Sequence, residues 1–331
     1  MTVRTPVFFV ICLIVGAAVY GAAVALGNDY YFFAGYVVLQ YIVLATAWNI
    51  LGGYCGYVNF GSAAFFALGA YSTVAMHRIY PVPIPILVAI GGVVSGAVGF
   101  AMGYLTLRLR GAFFAIATLA LAVVLQTLIV NWDFVGGSRG AYIVRPESIP
   151  PFGSYIKYLF FIMILLAVGA ITIARLIERS RLGYGFATIR DDELAAEATG
   201  VPTLRLKLIA TTISGGLMGM AGAPFPYYIG FLQPSSAFGL DYAVNSIAMP
   251  LIGGTTSWVG PLIGAILLGS LQQIATVTIS SAVNLLIVGF LLVGFVIAAP
   301  NGIIGLVKFE RRPPRRTNGK QVSADALGPA P

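Results

Sequence analysis

The chain has 331 residues, of which 59% are hydrophobic and 9% charged, and a mean hydropathy of +0.92; soluble domains carry about 25% charged residues, so a water-soluble fold is excluded. Apolar runs of the roughly 20 residues needed to cross a ~30 Å hydrocarbon layer recur along it, which reads as an all-α polytopic membrane protein. The net charge of +8 is explained by topology and anionic membrane lipid, without nucleic acid as a partner.

In chain order, the runs between charges and turn residues give about ten transmembrane or re-entrant helices, at 7–27, 32–51, 62–78, 84–107, 112–131, 156–176, 206–229, 242–257, 260–280 and 283–300. The third and eighth are short and glycine-rich, as tilted, broken or re-entrant segments are. An even count puts both termini on one side. Lys and Arg in short loops resist translocation, and with the N-terminus inside, 15 of the 19 fall in cytoplasmic segments; only Arg78, Arg139, Arg145 and Lys157 lie outside. The expected topology is therefore N-in and C-in.

Arg4 before an apolar run, with Ala23-Val24-Ala25 after it, also has the outline of a secretory signal, but the run is long for a signal core. Cys12 and Cys55 sit in or beside apolar segments and suggest neither a disulfide framework nor a metal site. Residues 1–310 are read as one membrane domain. Residues 311–331, basic and rich in Pro, Ala and Gly, are expected to form a disordered cytoplasmic tail.

The longest cytoplasmic loop, 177–205, contains "RDDELAAEATGVP" at 190–202, a burst of charge in an apolar chain. Asp191 or Asp192 can cap a helix, Glu193 adds negative charge to its first turn, Gly200 can take the left-handed stop and Pro202 blocks continuation. The resulting two turns cannot stand alone in water, so they must rest on something. Ala195, Ala198 and Thr199 form a smooth face, and Glu193 and Glu197 an acidic stripe suited to choosing a basic partner or orienting a docking. A solvated inter-span loop is the alternative reading.

The stretch "GYGFATIRDDELAAEATGVPTLRLKLIATTISGGLMGMAGAPF", residues 183–225, resembles the cytoplasmic loop and following span of the M-type (LivM-like) permease subunit of branched-chain amino-acid ABC importers. Similar agreement appears in "LGGYCGYVNFGSAAFFALGAY" (51–71), "LRLRGAFFAIATLA" (107–120), "LIGGTTSWVGPLIGA" (251–265) and "PNGIIGL" (300–306), so the likeness covers most of residues 50–306. It implies that residues 190–200 form a coupling helix seated in a cleft of an ATPase subunit, which begins with Arg190, Asp191 and Asp192 and has Glu193, Ala195, Ala196, Glu197 and Gly200 at its centre. It also implies a homologous permease subunit, two cytoplasmic ABC ATPases, a periplasmic solute-binding protein meeting loops 132–155 and 230–241, and a bacterial inner-membrane location. Tyr184 stands where such chains often have Arg, Ser62 where His or Gln is frequent, and Pro224 interrupts a span usually continuous there.

Glycines Gly52, Gly53, Gly56 and Gly61 precede one short span, and Gly253, Gly254, Gly260 and Gly264 accompany another, a weak sign of an internal repeat. Helices broken at membrane depth are tolerated where they line a polar cavity or are buried in protein. The candidate translocation path therefore comprises Asn59, Gly61, Ser62, Gln126, Gly253 and Gly254, with tight helix packing and interhelical hydrogen bonding as the alternative roles. Ionisable residues are nearly absent from the expected span centres, whereas gradient-driven carriers commonly keep them there. The chain has no G-x-x-x-x-G-K-[ST] motif, and neither a metal cluster around His77 nor a catalytic constellation is apparent. No catalysis or cofactor is expected. A permease for urea or short amides is the neighbouring reading, and an ion-gradient transporter the more distant one.

Overall fold

Deprived of water, a backbone this apolar can satisfy its polar groups only within helices, and helices account for nearly all of the regular structure. The computed structural model describes residues 5–80, 82–106, 108–145, 149–150, 152–278 and 302–309, with 286, 289, 290, 293 and 294 besides. The elements are α1 (Thr5–Ala25), α2 (Asp29–Gly52), α3 (Ser62–Ile79), α4 (Ile84–Thr106), α5 (Ala112–Val130), α6 (Tyr155–Glu178), α7 (Arg181–Asp191), α8 (Glu193–Ala198), α9 (Thr203–Gly222), α10 (Phe225–Ile229), α11 (Pro234–Ala237), α12 (Leu240–Gly253) and α13 (Val259–Thr278), followed by a short helix, Gly302–Phe309. Among the described residues the sole sheet is a two-residue antiparallel pair, β1 (Ala141–Tyr142) against β2 (Phe231–Leu232).

Among the described residues, seven stretches are long and apolar enough to span a membrane: α1, α2, α4, α5, α6, α9 continued through α10, and α13. The chain is thus an all-α membrane protein. α3, with 18 residues, and α12, with 14, coincide with the two runs read as short. The tenth run, 283–300, falls mostly outside the described residues, as does the whole of the expected tail 311–331. Pro224 ends α9 one residue past its cap, and the chain continues helically as α10.

Lipid removes the hydrophobic drive between helices, so association relies on close packing of small residues. One tight crossing joins α3, α4 and α9. A methyl built on Gly69 would stand 2.0 Å from the Gly219 carbonyl oxygen, and one on Gly219 would stand 2.2 Å from Ser95 Oγ. Ser95 Oγ donates to the Phe65 carbonyl at 2.9 Å, and Thr73 Oγ1 to that of Ala223 at 2.9 Å. α1 lies at the rim against α6, where Gly16 admits Ile164, and its Phe8 ring meets Trp258 edge-on at 4.9 Å.

This packing sorts the helix ends into two groups. At one end stand α7, α8, the segment 53–61, the start of α9 and the α12–α13 turn, joined by bonds from Glu193 and Glu178. At the other end, β1 and β2 tie the loop after α5 to the loop after α10. The two loops expected to share one face, 132–155 and 230–241, are therefore physically paired.

Candidate functional site

α7 and α8 are separate helices because Asp192 leaves helical geometry, at φ −160° and ψ 108°. Its Oδ1 accepts from the Ala195 amide at 3.1 Å, which caps α8, so of the two candidate caps it is Asp192 that serves. Gly200, at φ +84°, makes the left-handed turn, and the Val201 amide returns to the Ala196 carbonyl at 3.0 Å. α7 occupies part of what was read as loop. Ser180 caps it at 3.1 Å, and buried Phe186 and Ile189 hold it against the bundle.

The six-residue α8 rests on a buried ion pair. Lys207, in the first turns of α9 and 3% exposed, donates to Glu193 Oε1 at 2.6 Å. Tyr57 donates its hydroxyl to Glu193 Oε2, while Lys207 Nζ lies 3.1 Å from that hydroxyl and 4.7 Å from the Tyr57 ring centre. Arg110, just before α5, completes the group at 3.6 Å from Glu193. Burial pushes the Glu193 carboxyl up, but hydrogen bonds from Lys207 and Tyr57 and the charges of Lys207 and Arg110 outweigh it, holding the carboxyl below its ordinary range. Burial, and then the bond to Glu193, push the Tyr57 hydroxyl up. Glu193 is therefore an anion at neutral pH and Tyr57 its donor.

The acidic stripe expected to meet a basic partner is accordingly engaged within the chain. Glu197 accepts from Thr203 Oγ1 at 2.8 Å and from Arg110 at 3.3 Å. A carboxylate facing buried Lys207 gains more inside the protein than at a surface, and this turns α8 so that Ala196 is buried. The opposite face is bare: Leu194 is 64% exposed, and Ala195, Ala198, Thr199 and Gly200 are exposed with it. Asp191 is exposed and pairs with its neighbour Arg190 at 3.2 Å. One side of α8 is thus bonded to the membrane domain and the other is exposed.

From α8 a short path leads inward. Gly56, at φ +80°, lies under Arg190, where a methyl would come within 3.0 Å. Two residues beyond Tyr57, buried Asn59 turns its Oδ1 to accept from the Gly61 amide at 2.8 Å, and its carbonyl accepts from Trp48 Nε1 at 2.9 Å. The amide of Phe60 donates to Thr118 Oγ1 of α5 at 3.1 Å. Phe60 then forms a wall of a cavity of about 320 Å³ between α3, α5 and α11–α12, which Ala63, Gln126, Phe238 and Ala243 also line.

Of the path residues expected from sequence, Gln126 lines this cavity and Asn59 and Gly61 adjoin it. Ser62 is buried beside it and shares a 2.8 Å hydrogen bond with Ser246 of α12. Gly253 and Gly254 are not brought there. A methyl on Gly253 would meet the Gly260 carbonyl oxygen at 1.8 Å, and one on Gly302 would meet the Gly254 amide at 2.5 Å. These two glycines serve close packing of α12, α13 and the helix Gly302–Phe309. Asn245 likewise bonds across helices, accepting from Gln272 at 2.8 Å.

The sequence reading missed Tyr57, Arg110, Thr203 and Lys207, because Arg110 and Lys207 were counted only as topological charges. A signal existed for one of them: Lys207 lies within a span, where an ammonium needs a partner. Arg175, counted the same way, is buried in α6 with its guanidinium 3.7 Å from the Phe8 ring centre.

Residues 30–296 match the family described as branched-chain amino acid transport system / permease component. The chain is 27% identical to the high-affinity branched-chain amino acid transport system permease protein LivM of Salmonella typhimurium, over 82% of this chain and 69% of that protein. It is 21% identical to the corresponding permease protein BraD of Pseudomonas aeruginosa, over 82% and 93%. With the autoinducer 2 import system permease protein LsrC of an Enterobacter species it shares 25%, over 61% and 58%. No solved structure matches the chain.

Proposed function

Because the chain belongs to the family of permease components of branched-chain amino acid transport systems, we propose that α8 is where separate ATPase subunits drive it as the membrane subunit of an ABC importer. In this reading two cytoplasmic ATPases bind the exposed faces of α8 in this chain and in a homologous permease. A periplasmic binding protein delivers the amino acid to the paired loops at the far end. ATP moves the transporter only through a difference in docking energy between its states. The membrane domain receives that difference through Glu193, Tyr57 and Lys207, which link α8 to the segment leading into the cavity wall at Phe60.

The single observation that carries this reading is the two-sidedness of α8, buried ion pair on one face and bare small residues with Leu194 on the other. A helix of six residues has no independent stability, so load placed on its bare face is passed to the groups beneath it.

The test is uptake of labelled leucine, against labelled urea, in cells lacking and then regaining the gene, with Ala195→Arg alongside. Leucine uptake should return with the native chain. With Ala195→Arg the chain should reach the membrane normally, yet ATPase co-purification and uptake should both fail. Normal transport by that variant would remove the docking role, and uptake of urea alone would favour the short-amide reading.

A further inference from the structure

The far end of the bundle holds a second cavity, of about 560 Å³, lined in part by the loop after β1. Its polar lining comes from four elements: His77 of α3, Arg145 of the loop after β1, Tyr158 of α6 and Tyr227 of α10. His77 Nδ1 and the Tyr227 hydroxyl are 3.1 Å apart. Arg145 donates through Nη2 to the Tyr228 carbonyl at 2.7 Å and lies 5.4 Å from the Tyr155 ring centre. Its buried Nε has no hydrogen-bond partner among the described residues. A buried donor left unpaired is costly, and this one belongs to a cation lining an open cavity.

Depth decides what reaches such a site. Ile84 in the wall is the first residue of one apolar span, the span of α6 opens at Tyr155, and the span containing Tyr227 closes at Ile229. The cavity is therefore at the level where hydrocarbon gives way to headgroups, with tyrosines placed as in an interfacial aromatic belt. Ile84 and Ile149 give it an apolar side next to the basic and hydroxyl groups.

We propose that this cavity binds the headgroup of an anionic phospholipid, with the phosphate on Arg145 and the tyrosine hydroxyls and the upper acyl chain along Ile84 and Ile149. Guanidinium and hydroxyl donors satisfy phosphate oxygens, and the apolar wall continues into the lipid. An anionic headgroup gains the full attraction of the Arg145 guanidinium, which the ammonium of a zwitterionic headgroup partly offsets. The site lies at the end opposite α8, and its lipid preference can be read without transport.

The test is native mass spectrometry of the full chain in mild detergent, titrated separately with phosphatidylglycerol and phosphatidylcholine. One phosphatidylglycerol should be held about fivefold or more tightly than phosphatidylcholine, the factor one cation near a headgroup is worth. Arg145→Gln should abolish that preference and Arg145→Lys keep most of it. Arg78→Gln, an exposed cation at the same end, should leave it unchanged. Ile149→Trp, which fills the cavity without touching the charge, should also release the lipid, so the idea does not hang on one variant's folding. Equal retention of the two lipids overturns the proposal, as does a preference that survives both Arg145→Gln and Ile149→Trp. Displacement of bound lipid by free leucine would also overturn it, by assigning the cavity to a soluble carboxylate.

Discussion

Lys207 places an ammonium inside an apolar span, and the arrangement around it follows from the cost of leaving that charge alone. Glu193 neutralises it at 2.6 Å, Tyr57 donates to the other carboxylate oxygen, and the Arg110 charge stands 3.6 Å away. Removing one member of a buried pair strands the other and costs about 3–5 kcal/mol. Glu193→Ala and Lys207→Ala should each lower the thermal stability of the purified chain by that order, while the double variant should lose little more than either single one. Additive losses in this cycle would mean that the two residues do not act as a pair. The pH dependence has a definite sign. Because the folded carboxyl lies below its unfolded value, the pair stabilises fully above about pH 4.3, the unfolded Glu value. That contribution is lost as pH falls through the lower folded value. Glu193→Gln should flatten this acid limb of the stability profile, and an unchanged limb would deny Glu193 the role.

Helices in this chain are shaped by glycine contacts more than by apolar faces. At the crossing of α4 with α9, a methyl on Gly219 would also come within 2.4 Å of the Gly91 carbonyl oxygen, where only backbone movement gives relief. Gly219→Ala should therefore destabilise the protein by at least about 2 kcal/mol and reduce its yield in membranes. Gly21→Ala in α1, with no atom within 4 Å of the added methyl, should be neutral; equal yields for the two would refute the crossing as the source of packing. Span positions were legible because backbone satisfaction in lipid leaves few options, and α4 begins at Ile84 as expected. α7 was not read, although Leu182, Phe186 and Ile189 recur at helical spacing in its sequence, because the charges at 190–193 draw attention to the next turn. For Gly253 and Gly254 the sequence allowed both a broken helix on the route and close packing, and their three-dimensional neighbours show the close packing.

At the scale of the whole molecule, one end carries α8 and the other the paired loops, and the cavity beside α5 lies between them. The stop of α8 at Gly200 was legible from sequence, but its start was not, since Arg190 and Asp191, expected in the same helix, close α7. The inward turn of Glu193 was not legible either, since it depends on Lys207, 14 residues on, and Tyr57, 136 residues back. The central claim is that α8 delivers work from ATP to the route through that three-residue junction. It is tested most directly by labelled leucine uptake into proteoliposomes holding the chain, its homologous permease and the binding protein, with and without the ATPases and ATP. Accumulation is expected only when ATPases and ATP are both present, and should fall at least tenfold, about 1.4 kcal/mol of lost coupling, with Glu193→Ala. Accumulation without the ATPases would contradict the account.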